Sequence, residues 1–264
     1  MGAPEPEEIY ERTREEGARR LERPFLEMAS TSLAAGFDII AGVVVLTLLE
    51  SQLEHILGTH GAHVVGAASF GIGFVFLVVG RGELFTENFL VPLAGLDGKE
   101  KNAWWKLVEL WTASPVFNVI AGGFMAFLLS VHSVLPFGTG AAIKHTAETL
   151  HANGWLALFI SAIFAGALIT AMTWFIEGQR SVGVRVTIAW IAGAILALGS
   201  FNHVIVVTLE LIFGIRFGAH IPWIFVLENF FVAAAGNAIG GIGLVTLNRF
   251  TQARSGGATS NASG

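Results

Sequence analysis

Cysteine is absent from all 264 positions, which excludes disulfides, thiolate metal ligands and Cys nucleophiles together. Charge is scarce as well. Asp, Glu, Lys and Arg make up 13% of the chain, against roughly 25% in soluble domains. One tyrosine stands against 21 phenylalanines, so aromatic rings serve inside a membrane as well as at its edges. Residues 1–24 are polar and charged, which is unlike the apolar core of a cleavable signal. What remains is apolar: 53% hydrophobic residues and a mean hydropathy of +0.66. That is more apolar surface than one soluble core can bury, and it defines an integral membrane protein. The 32 glycines fit this, since small residues let helices approach closely in lipid.

A membrane-crossing helix needs about 20 mainly apolar residues. Six spans are expected: 29–50, 62–80 running irregularly to 94, 113–135, 155–176, 183–200 running irregularly to 215, and 221–248. Residues 1–27 read as an amphipathic cytoplasmic segment, 28–250 as the transport domain, and 251–264 as a disordered tail. With both termini in the cytoplasm, twelve Lys and Arg residues lie inside and only Lys144 and Arg216 outside, with Arg81 within a span. The expected location is a prokaryotic-type inner or plasma membrane.

The two halves resemble each other, over about 28–135 and 155–250. Span 3 carries FNVIAGG and span 6 GNAIGGIG; span 2 is interrupted at ELFTEN and span 5 at SFNHV. Phe85 and Phe201 are 116 residues apart, Asn118 and Asn237 119. Three spans separate the members of each pair, so the second copy is inverted. The fold class is therefore an all-α membrane protein of six transmembrane helices in two inverted three-helix repeats, with helices 2 and 5 broken. Such repeats typify transporters with a site near the midplane.

Irregular backbone at membrane depth must be buried in protein or face water. Thr86 is the expected cap of a half-helix starting at Glu87, and Asn202 of one starting at His203. Two half-helix N-termini facing inward suit an anion. His203, in an apolar run, is costly when charged; neutral it can hydrogen-bond a ligand, and transiently protonated it can supply a proton. Phe70, Phe74 and Phe85 are candidates for a constriction. Arg81, Glu83, Glu87, Glu210 and Glu228 read as intramembrane charges braced by ion pairs with one another. The other seven histidines show no metal-ligand spacing.

ELFTEN in a broken second helix, FNH in a broken fifth and the paired Asn/Gly-Gly elements together resemble the formate/nitrite transporter family over about residues 25–248. The resemblance implies an aquaporin-like protomer, assembly as a homopentamer, and a pore in each protomer for small anions or their neutral acids, with protons and the lipid bilayer as further partners. It places Thr86, His203, Asn202, Asn118 and Asn237 along the substrate pathway and Phe70, Phe74, Leu84 and Phe85 at constrictions. It also implies a proton relay at His203, and no cofactor, metal or nucleic acid. Three departures stand out: Asn202 where the family often has Glu, no lysine near Leu150 and His151, and Gly166 in place of an asparagine. A water or small-solute channel, or a cation or ammonium pathway using Glu210, Glu228 and His203, remains open beside this reading. An enzyme is not expected, because only Ser200 and His203 suggest a nucleophile and base.

Overall fold

In the computed structural model, residues 4–96 and 102–262 are described, and every regular element among them is helical. In chain order these are α1 (Pro6–Glu22), α2 (Phe25–Gly80), a 3-10 turn (Phe85–Phe89), α3 (Val91–Gly95), α4 (Ala103–Leu129) and α5 (Thr139–His151). Then follow α6 (Trp155–Glu177), α7 (Val182–Leu198), α8 (Val204–Arg216), α9 (Trp223–Ala238), a π-helical segment (Ile239–Thr246) and α10 (Leu247–Ala262). Lys99 and Lys101, counted above for orientation, lie outside the described residues.

Helix α2 holds 56 residues, which as a straight rod would reach about 84 Å, far more than a bilayer. It turns back on itself at Gly58, whose φ of 68° and ψ of 169° suit only glycine. Beyond the bend, Gly73 and Phe70 lie against Gly42, and Gly66 lies against Leu46, so the two limbs run antiparallel. The first two expected spans are these limbs. Among the described residues, four helices are long and apolar enough to cross a membrane: Phe25–Gly80, Ala103–Leu129, Trp155–Glu177 and Trp223–Ser255. The fifth expected span is divided between α7 and α8. Phe124, Phe127, Ile160, Phe164, Trp190, Leu227 and Phe231 are exposed on the outside of the bundle. Lipid, not water, solvates such an exterior.

Helix α1 buries Thr13, Gly17 and Leu21 and packs against α3. The segment expected as a disordered tail is helical to Ala262, because α9 continues unbroken through the π segment into α10. There Thr251 Oγ1 and Ser255 Oγ donate back to the carbonyls of Leu247 and Thr251, and Phe250 packs edge-on against Tyr10 at 5.0 Å.

The helices meet closely at matching places in the two halves. A Cβ on Gly36 would fall 2.2 Å from Asn118 O, and one on Gly166 2.1 Å from Asn237 O. Gly166, the apparent substitute for a polar residue, is therefore the counterpart of Gly36 and sets helix spacing. Glycine-to-alanine changes inside helices usually stabilise by about 0.5–1 kcal/mol. Here the sign reverses: Gly166→Ala is expected to cost about 1–3 kcal/mol through overpacking, read as a lower melting temperature in detergent.

Candidate functional site

Both breaks begin with the same turn. After α2, Arg81 adopts φ 55° and Gly82 N donates to Leu77 O at 2.9 Å; after α7, Ser200 adopts φ 46° and Phe201 N donates to Leu196 O at 3.1 Å. These are left-handed helix terminators with a six-to-one hydrogen bond. Arg81 and Ser200 are 119 residues apart, as are Leu77 and Leu196. The repeat register is thus 119 from the breaks through Asn118 and Asn237, and the 116-residue match of Phe85 to Phe201 is corrected. Leu84 corresponds to His203, and Phe85 to Val204.

A bracketing amide holds each break at depth. Asn118 Oδ1 accepts from Phe85 N at 3.1 Å, and its Nδ2 donates to Ser32 O at 2.8 Å and Glu83 O at 3.0 Å. Asn237 Oδ1 accepts from Val204 N at 2.9 Å, and its Nδ2 donates to Ala162 O at 2.7 Å and Asn202 O at 3.1 Å. Both donor hydrogens of each amide are spent on backbone, so neither Nδ2 is free for a ligand. Asn202 is likewise engaged: its amide pairs reciprocally with Asn229 at 2.9 and 3.2 Å and also donates to Leu158 O. These asparagines position the loops. Asn229 escapes the sequence reading, although a polar residue in the run FVLENFF is a signal for it.

The caps differ from expectation. Helix α8 starts at Val204 and its cap is His203, whose Nδ1 accepts from Val206 N at 3.4 Å. Thr86 caps nothing; it lies within a five-residue 3-10 turn that follows Leu84. One long half-helix therefore presents its N-terminus at the centre instead of two. With Nδ1 an acceptor, neutral His203 carries its proton on Nε2, which donates to Thr86 Oγ1 at 2.8 Å. Thr86 then retains its own hydroxyl proton to offer. Both side chains are fully buried, and the Phe74 ring stands edge-on to the imidazole at 6.5 Å. Phe70, Phe74, Leu84 and Phe85 are all buried in the same core cluster.

The charges find other partners than those expected. Glu83 pairs with Arg23, from the turn after α1, and also accepts from Asn88 Nδ2 at 3.0 Å. Arg20 reaches Asn88 Oδ1 at 3.2 Å, and Glu87 accepts from Leu84 N at 3.2 Å. Arg81 forms no ion pair among the described residues, Glu228 is exposed, and Glu210 lines a cavity. The bracing of the first break therefore comes from the N-terminal segment, which the sequence offers no pattern to reveal. Burial opposes the charge on Arg20, but the carboxylates of Glu83 and Glu87 hold its guanidinium more firmly cationic than usual. Burial also opposes the Glu16 charge, yet Arg19 and Arg20 pull its carboxyl down to about 2.

Two cavities approach the centre from opposite ends. The smaller, about 190 Å³, is lined by Arg19, Arg20, Arg23, Arg81 and Arg185 with Glu16, Glu83, Glu87 and Glu177. The larger, about 790 Å³, lies between α2, α5, α7 and α8 and reaches Phe201 and Val206. Between their innermost residues stand Phe74, Leu84, Phe85, Thr86 and His203, all buried.

A membrane bundle of two inverted repeats, each broken at a central polar site, defines a channel or transporter protein. The formate/nitrite transporter family model matches residues 7–251, and the chain belongs to that family. It is 24% identical over 250 residues to the inner membrane protein YfdC of Escherichia coli, covering 93% of this chain and 78% of that protein. Identity is also 24% over 247 residues to the formate channel BtFdhC of Bacillus thuringiensis, covering 93% and 94% of the two chains. Among solved structures, an FNT family ion channel superposes with a TM-score of 0.79 at 17% identity, covering 92% of this chain and 98% of that one. A pentameric formate channel with formate bound gives 0.70 at 19%, covering 86% and 96%.

Removing one member of a buried ion pair costs about 3–5 kcal/mol, because the other charge is stranded. Arg23→Ala is therefore expected to lower the melting temperature markedly, and Glu83→Gln in the same chain to restore most of the loss. The depressed native Glu16 adds stability above its ordinary pKa of 4.5, and that stability is lost only as pH falls toward about 2. Limited proteolysis should find α1 still docked at pH 5.

Proposed function

We propose that this protein passes small weak acids or their monovalent anions, of the formate, nitrite and hydrosulfide class, through a pore in each protomer of a homopentamer. The observation that carries the reading is the His203–Thr86 pair, 2.8 Å apart in an apolar centre between two cavities. Its hydroxyl proton is not committed to the backbone, unlike the amides around it. Family membership, the formate channel among the relatives and the formate-bound pentamer among the structures support the cargo class. Both termini face the cytoplasm in this reading, the α5 side faces out, and the chain crosses six times.

A bare anion loses many kcal/mol of hydration in so narrow an apolar passage, whereas a neutral acid loses far less. The arrangement suggests how the difference is bridged. Thr86 O–H donates to an approaching carboxylate or nitrite oxygen while its own oxygen accepts from His203 Nε2–H, each bond strengthening the next. Passing a proton on requires a second proton on the imidazole, at Nδ1. That site is occupied by the Val206 N–H, and the α8 N-terminus opposes positive charge. Protonation is thus coupled to releasing the cap, with the negative charge of the bound anion as the compensating partner. At rest the imidazole is neutral.

Asparagine caps helices as well as any residue but does not titrate near neutrality. In proteoliposomes at pH 7, His203→Asn is expected to keep its melting temperature and lose at least about tenfold in formate and nitrite flux, since general acid catalysis typically contributes 10²–10⁴. Thr86→Val should lose a similar amount. A His203→Asn protein with unchanged flux would sink the relay, and a native protein passing neither anion would sink the cargo class.

A further inference from the structure

The larger cavity differs in kind from the smaller one. Its titratable lining among the described residues is Glu50, Glu54, His60 and His63 from α2, His145 from α5 and Glu210 from α8. Helix α7 and the turn after it add only Leu196, Ala197, Ser200 and Phe201, and no Lys or Arg among the described residues lines the space. The nearest cations are otherwise engaged. Lys144 pairs with Glu148 at 3.7 Å, and Arg216 donates to Ser130 Oγ while stacking over Phe127. Within the cavity, His63 Nε2 donates to Leu198 O at 3.2 Å and Nδ1 faces Glu50 Oε1 at 2.8 Å. Even with His63 doubly protonated against Glu50, the Glu54 carboxylate is left over. Thr59 Oγ1 donates to Glu54 at 2.9 Å, and Glu210 has no hydrogen bond or ion pair among the described residues.

We infer that this vestibule is an anion-repelling charge filter, with Glu54 as its specificity-determining residue. Confined by low-dielectric walls, unpaired charges of one sign focus a potential of several kT, which lowers the local concentration of anions and raises that of cations. From this side the pore takes neutral acids in preference to anions at neutral pH. The opposite cavity, with five arginines against four glutamates, carries no such bar. The inference deepens the transport reading and rests on it only for its effect on flux.

Because the chain contains no cysteine, the potential is directly measurable. Single cysteines would be placed at Ala142, or at Thr146 should that variant fail to fold, both lining the larger cavity, and at Val78 in the smaller. Their reaction rates with cationic and anionic methanethiosulfonate reagents are compared with those of a small free thiol. At pH 8 the cation-to-anion rate ratio at Ala142→Cys is expected to exceed that of the free thiol by about tenfold or more. It should approach the free thiol in the Glu54→Gln background. At Val78→Cys no such excess is expected. A ratio at Ala142→Cys equal to that of the free thiol, or unchanged by Glu54→Gln, overturns the filter. Flux in the same variants separates the two readings: a high ratio without anion flux sinks the transport reading and upholds the filter, while flux without the ratio sinks only the filter.

Discussion

A backbone that leaves its helix at membrane depth has to find partners for its freed amides inside the protein. Asn118 and Asn237 meet that demand with the same three bonds, one accepted and two donated, in the two repeat-related loops. An unpaired buried amide costs several kcal/mol in hydrocarbon, so each loop exists only while its asparagine is in place. Gly36 and Gly166 belong to the same device, since each lets a neighbouring helix come close enough for the amide to reach across. Once loop and helix are bound this tightly, Thr86 and His203 have little freedom, and their 2.8 Å contact follows.

Electrostatics adds a second layer, and it is not shared between the halves. The first break is held by arginines from outside the repeat, Arg20 and Arg23, on Glu83 and Asn88. The second is held by neutral amides, Asn202 with Asn229. Position 83 in one half and position 202 in the other are counterparts 119 residues apart, yet one is a buried anion and the other an uncharged amide. The cation for the first comes from the N-terminal segment, which ties that segment to the pore wall.

The architecture was legible because it rests on long-range regularities: apolar runs, the breaks at ELFTEN and SFNHV, and the repeated Asn/Gly-Gly element. The family resemblance rested on the same residues, and the family model agrees with it. What stayed hidden is short-range geometry. Arg81 and Ser200 make the same left-handed turn from different residues, so matching letters aligned Phe85 with Phe201 and missed the register by three. Asn202 looked like a cap because asparagine is a good one, but its side chain is drawn away to Asn229 and the imidazole takes the place. The bracing by Arg23 was invisible for another reason: a contact 60 residues distant in sequence leaves no periodic trace.

With the register set at 119, the internal symmetry pairs Leu84 with His203 and Thr86 with Ile205. The central contact therefore joins two residues that are not each other's images. Two identical half-length chains would bring either two histidines or two leucines to this place, and either two threonines or two isoleucines. A single such contact, with Leu84 and Ile205 at the image positions, requires the halves to differ, which covalent fusion allows and self-association of a single half does not. The scaffold keeps its twofold likeness, and chemical polarity resides in the few positions where that likeness has been given up.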